Sequence, residues 1–109
     1  MSSSIGRESR PGDPVVFVDA ENVRRSAWPN VSREELIRLV EEWAAREGVE
    51  ARVVFEGGEI ADDRIAREAE EVDRYWIVTS DRGLRDRAAP RAERVIGGGS
   101  FLRELRGAQ

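Results

Sequence analysis

"PVVFVDA", residues 14–20, is the stretch of sequence that decides the fold. Its apolar residues at 15–18 are β-branched or aromatic and do not alternate with polar residues. A short continuous run of this kind is typical of a β-strand buried on both faces, as in the centre of a parallel sheet. We therefore predict that residues 14–20 form a central strand with helices on both sides of the sheet.

The rest of the chain alternates between short apolar runs and helical patterns. The clearest helix is predicted over 31–48, where Ser32 and Glu35 form a capping box and Gly48 is a stop signal. Strict alternation indicates parallel strands joined by right-handed crossovers. The predicted fold is a Rossmann-like α/β/α sandwich whose four-stranded parallel sheet has the order 2-1-3-4. The other predicted strands are 49–58, 75–80 and 92–98, and the other predicted helices are 61–72, 81–89 and 100–107.

The length of 109 residues suits one domain, which we place at 14–107 after a flexible tail at 1–13. The tail contains Ser, Gly and Pro but no apolar segment that would act as a secretion signal. The longest apolar run, at 15–18, is far too short to cross a bilayer. We therefore expect a cytoplasmic protein.

Composition excludes several kinds of chemistry. The chain has no Cys and no His, and all 18 of its basic residues are Arg. Thiolate nucleophiles, Ser-His-Asp triads, zinc ribbons and the lysine of a P-loop are therefore unavailable. The chemistry left to the chain depends on Asp, Glu, Ser, Thr, Asn, Arg and a bound ion. The net charge of −4 argues against a protein that simply coats nucleic acid, although a local Arg patch remains compatible with an RNA substrate.

Acidic residues follow the ends of three predicted strands. Asp19 ends the first strand, Asp81 follows the third, and the pair Asp62 and Asp63 lies just beyond the second. Because ligands of open parallel sheets bind at the carboxyl ends of the strands, where strand order reverses, these acids are predicted to share one site. Clustered carboxylates repel one another unless a cation intervenes, and hard oxygen ligands favour Mg²⁺ or Mn²⁺. We predict a metal site that contains Asp19, Asp62 and Asp81.

Each acid also has a simpler interpretation. Asp81 stands where an N-cap of the third helix is expected, and Asp62 or Asp63 could serve a helix dipole. Asp19 is harder to explain in this way, because an unpaired carboxylate at the end of a buried strand is costly.

The two adjacent aspartates are predicted to differ in role. The apolar stripe of their helix contains Ile65, Ala66, Ala69 and Val72, and Asp62 continues that stripe at helical spacing. Asp63 is turned about 100° away, which favours a cap or an outer-sphere role. In the helix predicted over 81–89, Asp86 lies opposite the apolar residues, so we interpret it as a surface charge.

The motifs resemble those of one family. "VFVDAEN" (16–22), "ADDRIAREA" (61–69), "WIVTSDRGLRDRA" (76–88) and "RVIGGGSFLREL" (94–105), in this order, are similar to an NYN domain of the PIN-like ribonuclease superfamily, in its bacterial YacP-like branch. The resemblance implies a ribonuclease that cuts RNA with a divalent ion. It matches the family's acids to Asp19, Asp62, Asp63 and Asp81, with Asn22 in support.

The chain departs from the family pattern at three points. Ala20 replaces a common glycine, and Glu21 adds an acid beside the first aspartate. Arg85 stands where some members have a further acid. The chain also ends soon after the fourth strand, so the fifth strand of larger relatives is expected to be missing.

Other polar and aromatic residues are predicted to support the site. Thr79 and Ser80 could hold ligands or a phosphate oxygen, and Glu21 and Asn22 could support Asp19. Trp28 is the candidate for base stacking or an interface, whereas Trp43 and Trp76 are expected in the core. The glycines at 97–99 are interpreted as a flexible turn. The arginines predicted to contact RNA, unless they simply pair with nearby Glu, are Arg24, Arg25, Arg64 and Arg82.

The function predicted from these patterns is metal-dependent hydrolysis of RNA phosphodiester bonds. A non-catalytic module that binds RNA or a protein partner is the main alternative. A phospho-receiver domain is a weaker one, since such domains use a lysine that this chain lacks. The sequence leaves homodimerisation open and indicates no surface for it.

Overall fold

The computed structural model describes residues 13–55 and 61–107, although not the side chains of residues 61 and 62. Its four strands form one parallel sheet in the order β2-β1-β3-β4, as the sequence predicted. The predicted tail lies outside the described residues except for Asp13, as do residues 56–60. The strands are β1 (Val15–Asp19), β2 (Glu50–Val54), β3 (Tyr75–Val78) and β4 (Arg94–Ile96).

The helices differ from the prediction mainly at their ends. A short helix over Ala20–Arg24 follows β1 directly and was not predicted, because five residues are too few to show a periodic pattern. The helix predicted over 61–72 stops at Ala69, and the helix predicted over 100–107 begins at Gly98. The helices are α1 (Ala20–Arg24), α2 (Arg33–Glu47), α3 (Ala61–Ala69), α4 (Arg82–Ala88) and α5 (Gly98–Gly107), with a 3₁₀ turn at Ala89–Arg91.

Helix α2 has the ends that its sequence predicts. The Ser32 side chain accepts a hydrogen bond from the backbone N–H of Glu35, which satisfies a donor that the first turn leaves without a partner. Gly48 ends the helix in the left-handed conformation, at φ 72°, which glycine adopts without steric cost.

Hydrophobic side chains pack on both faces of the sheet, which confirms the three-layer architecture. On one face Val16 and Val18 pack with α1, α2 and α5 around Trp43, whose ring centroid lies 4.9 Å from that of Phe101. On the other face Val15 and Phe17 pack with α3 and α4. Trp43 is in the core as predicted, and Trp76 is partly buried against it.

The register of the sheet decides which residues meet at its carboxyl edge. Val18 of β1 lies opposite Val53 of β2 and Val78 of β3. Asp19, one residue further, therefore stands beside the chain that leaves β3. Among the residues that the structure describes, no helix is long and apolar enough to cross a membrane.

Candidate functional site

Asp19 lies at the end of β1, between β2 and β3, where only 9% of its surface is exposed. The hydroxyl of Thr79 donates a 2.8 Å hydrogen bond to its Oδ2. The same hydroxyl oxygen accepts a 3.0 Å bond from the backbone N–H of Asp81. Thr79 is itself fully buried. One threonine therefore orients the Asp19 carboxylate and the chain that carries Asp81.

Asp81 caps a helix and also lines the cleft. It is the N-cap of α4, since its Oδ1 accepts a 3.0 Å bond from the backbone N–H of Leu84, so the simpler interpretation is confirmed. Its side chain nevertheless lines the same cleft as Asp19. The capping hydrogen bond holds the Asp81 carboxylate at the cleft through one of the two carboxylate oxygens.

A second hydrogen-bond network joins α1, β3 and α5. The side-chain oxygen of Asn22 accepts a 2.9 Å bond from the backbone N–H of Ser80, and the Ser80 hydroxyl accepts a 2.9 Å bond from the N–H of Gly98. A Cβ on Gly98 would lie 2.4 Å from the Asn22 oxygen, so this close approach requires glycine. The interpretation of 97–99 as a flexible turn was therefore wrong for Gly98, which opens α5 in tight contact with the site.

The two networks border a cleft of about 380 Å³ at the carboxyl edge of β1 and β3. Binding sites for drug-like molecules are mainly apolar, whereas every residue that lines this cleft is polar or charged. A polar or ionic ligand suits such a surface. The lining residues are Asp19, Glu21, Asn22, Arg25, Ser26, Ser80 and Asp81.

Glu21 is buried beside the cleft, with 6% of its surface exposed. It forms ion pairs with Arg24, with Arg25 at 3.8 Å and with Arg33 at 3.4 Å. The sequence suggested a supporting role for Glu21 but did not indicate its ion pair with Arg33. That contact joins α1 to the start of α2 across the intervening loop.

Asp63, near the start of α3, lies apart from these networks. Asp63 is half exposed, and its Oδ1 lies 2.6 Å from Nη1 of Arg87 on α4. Ile65 and Ala69 are buried, as the predicted stripe requires. The Asp62 side chain lies outside the described residues, so its place at the metal stays a prediction.

The four candidate RNA-binding arginines have different surroundings. Arg24 donates to the Val31 carbonyl oxygen at 2.7 Å as well as pairing with Glu21, and Arg64 pairs with Glu68 at 2.9 Å. Arg25 is 66% exposed at the cleft, and Arg82 is exposed at the first position of α4. Arg25 and Arg82 thus remain available to a ligand.

Two further side chains bear on the site. Arg85 donates through Nε to the Thr79 carbonyl oxygen at 3.1 Å and supports the loop between β3 and α4. Trp28 is 89% exposed, in the loop that follows Ser26 of the cleft.

The donor set of the cleft is chemically suited to Mg²⁺ or Mn²⁺. Asp19 and Asp81 offer carboxylate oxygens, although no group of three acids close enough to enclose an ion occurs among the described side chains. Mg²⁺ commonly binds through one or two carboxylates and keeps several waters, so a three-acid cage is not required. In their oxygen donors, Asp19 and Asp81 are therefore compatible with such an ion.

The fold is a parallel α/β/α sandwich of YacP-like type. The structure is similar to a crystal structure of Rae1 (YacP) from Bacillus subtilis, a W164L mutant, with a TM-score of 0.68. The similarity covers 86% of this chain and 76% of that one at 20% sequence identity, which supports a shared fold. No protein-family model and no curated protein matches this sequence.

Proposed function

We propose that this protein is a metal-dependent ribonuclease that hydrolyses RNA phosphodiester bonds in the cleft between Asp19 and Asp81. The observation that carries the proposal is the Thr79 hydroxyl, which bonds the Asp19 carboxylate and the backbone of Asp81 at once. Such a link holds two acids in a fixed relation at the edge where parallel sheets bind ligands. The YacP-like fold and the resemblance of the motifs to the NYN family support the same function.

Asp19 and Asp81 would hold Mg²⁺ or Mn²⁺, with Asp62 as the proposed third ligand. When bound, such an ion stabilises the negative charge that develops on the phosphate during hydrolysis. Thr79 positions Asp19, and Asn22 and Ser80 hold the β3–α4 loop against α5. We assign Asp63 a supporting role, since its ion pair with Arg87 ties α3 to α4.

A non-catalytic module that binds RNA or a protein partner is the second candidate. The observation that favours it is the exposed Arg25 at a cleft lined entirely by polar and charged residues, which suits binding of an RNA backbone without cleavage. Under this alternative, the polar cleft binds its ligand without cutting it.

Cleavage of a labelled single-stranded RNA, measured with Mg²⁺, with Mn²⁺ and with a chelator, tests the proposal. We expect cleavage that the chelator abolishes and that Asp19→Asn and Asp81→Asn each reduce by more than the ~10–100-fold typical of an outer-shell partner. Asn is also a good N-cap, so Asp81→Asn keeps the start of α4 intact.

Asp86→Asn is the matched control, because Asp86 is an exposed residue of α4 and the substitution changes the net charge equally. Cleavage that persists in both site variants, or in the chelator, would refute the nuclease proposal. RNA binding without any cleavage would support the binding module instead.

A further inference from the structure

Glu21 stands at the centre of a group of arginines. One of its oxygens, Oε1, pairs with Arg24 and Arg25, and the other, Oε2, lies 3.4 Å from Nη2 of Arg33. Oε2 is buried and accepts no hydrogen bond from the described residues. Three guanidinium groups therefore surround one carboxylate, and the group has a local excess of positive charge in a chain whose net charge is −4.

Two of these arginines reach solvent. The side chains of Arg25 and Arg33 are 66% and 59% exposed, whereas that of Arg24 is 21% exposed and is also bonded to the Val31 carbonyl oxygen. A guanidinium has five N–H donors, so contact with one carboxylate oxygen leaves donors for another anion. Arg24 thus supports the loop between α1 and α2, while Arg25 presents charge at the cleft and Arg33 presents charge beside Glu21.

Arg33 occupies a position that helix electrostatics disfavours. It is the first residue of α2, where the helix dipole is positive and acidic residues are preferred. Its guanidinium lies against the ring of Phe55, 5.3 Å from the centroid, as well as near Glu21. These two contacts hold the side chain beside Glu21, which lines the cleft, despite the unfavourable dipole.

We propose that Arg25 and Arg33 form a phosphate-binding pair for single-stranded RNA and that Glu21 is their positioning residue. The pair would contact a backbone phosphate of RNA beside the cleft that contains Asp19 and Asp81. This inference rests on the proposed function, because it takes RNA to be the ligand of the cleft. Glu21 orients both guanidiniums before RNA binds, which reduces the side-chain entropy lost on binding.

The test is the binding of a fluorescently labelled single-stranded RNA, measured by anisotropy in a chelator so that cleavage does not interfere. The proteins are wild type, Arg25→Gln, Arg33→Gln, the double variant and Glu21→Gln. Arg46→Gln is the matched control, since Arg46 is exposed in the last turn of α2 and the charge change is the same. Thermal unfolding of each variant verifies that it folds.

We expect each arginine substitution to weaken binding about three- to tenfold, and Arg46→Gln to change it less than about twofold. Binding to single strands depends on salt with a log–log slope of about 0.7 per phosphate contact, so the double variant should lose up to about 1.4 from that slope. Glu21→Gln should weaken binding even though it removes a negative charge beside a polyanion.

The outcomes separate this inference from the proposed function. If wild type binds RNA and the arginine variants behave like Arg46→Gln, the phosphate-binding pair is refuted while the nuclease proposal stands. Tighter binding by Glu21→Gln would refute the positioning role, because charge alone would then explain its effect. If wild type neither binds nor cleaves RNA, both proposals fail together.

Discussion

Asp19 and Asp63 are both acids that follow a strand in the sequence, yet their surroundings in the folded chain are opposite. Asp19 is 9% exposed and is bonded to a buried neutral hydroxyl, that of Thr79. The Asp63 side chain is 50% exposed and is paired with a charged group, the guanidinium of Arg87. The buried hydrogen bond fixes the geometry of Asp19, whereas the exposed ion pair of Asp63 adds little energy. Burial at the sheet edge, more than acidity, therefore distinguishes Asp19 from Asp63.

The largest effect in this comparison is expected from Thr79→Val, which keeps the shape of the side chain but removes its hydroxyl. Asp19 loses a donor and the Asp81 N–H loses an acceptor. We expect cleavage to fall about 10–100-fold and the free energy of unfolding to fall by about 1–3 kcal/mol. RNA cleavage and denaturant unfolding measure the two effects.

Thr79→Ser is the control, because it retains the hydroxyl and should keep most of the activity. A Val variant with wild-type cleavage would refute the role of the hydroxyl, and a loss in the Ser variant as large as that in the Val variant would show that packing of the methyl group matters as much as the hydrogen bonds.

A smaller effect is expected from Gly98→Ala. The new Cβ would lie 2.4 Å from the Asn22 side-chain oxygen and would displace it from the Ser80 N–H. We expect a loss of about 1–2 kcal/mol in unfolding free energy, measured by denaturant titration. Gly99→Ala is matched, since the nearest atoms lie 3.8 and 3.9 Å away, and it should be neutral or slightly stabilising. Similar results at both glycines would contradict the close-packing interpretation.

Asp63→Asn is expected to have little effect. Exposed ion pairs contribute about 0–1 kcal/mol, so the unfolding free energy should change within that range and cleavage within about twofold. A double-mutant cycle with Arg87→Gln isolates the pair. A loss of cleavage as large as that of Asp19→Asn would place Asp63 in the catalytic site and erase the contrast between the two acids.

The smallest expected effect is on the loss of stability at acidic pH. Hydrogen bonds from Arg64 and Arg52 hold the pKa of Glu68 below its usual value. A depressed carboxyl pKa stabilises the fold above the unfolded-state pKa, and the contribution is lost as pH falls through the folded-state pKa. The unfolding free energy of the wild type should therefore fall between about pH 7 and pH 3, in part because Glu68 becomes protonated. In Glu68→Gln this fall should be smaller, by less than about 1 kcal/mol. Denaturant unfolding at both pH values measures it, and an unchanged loss would contradict the assignment.

The strand order was predictable because continuous apolar runs and strict alternation permit few topologies. The same order implied that Asp19 and Asp81 approach one another, which the shared cleft confirms. Helix α1 was not predictable, since five residues show no periodicity, and the pairing of Glu21 with Arg33 depends on how α2 packs after it. Gly98 was missed because a glycine run before a helix suggests a turn, and its steric need arises only from Asn22.

By itself, the sequence determined the parallel α/β/α architecture, the chemistry left to a chain without Cys, His or Lys, and the two strand-end acids that form the cleft. These properties depend on local pattern and composition, which act through short-range sterics and burial. Tertiary structure alone decided that Thr79 links the two aspartates, that Gly98 admits Asn22 and that Glu21 gathers arginines from two helices. Such contacts join residues far apart in the chain, and only the register of the sheet and the packing of helices bring them within bonding distance.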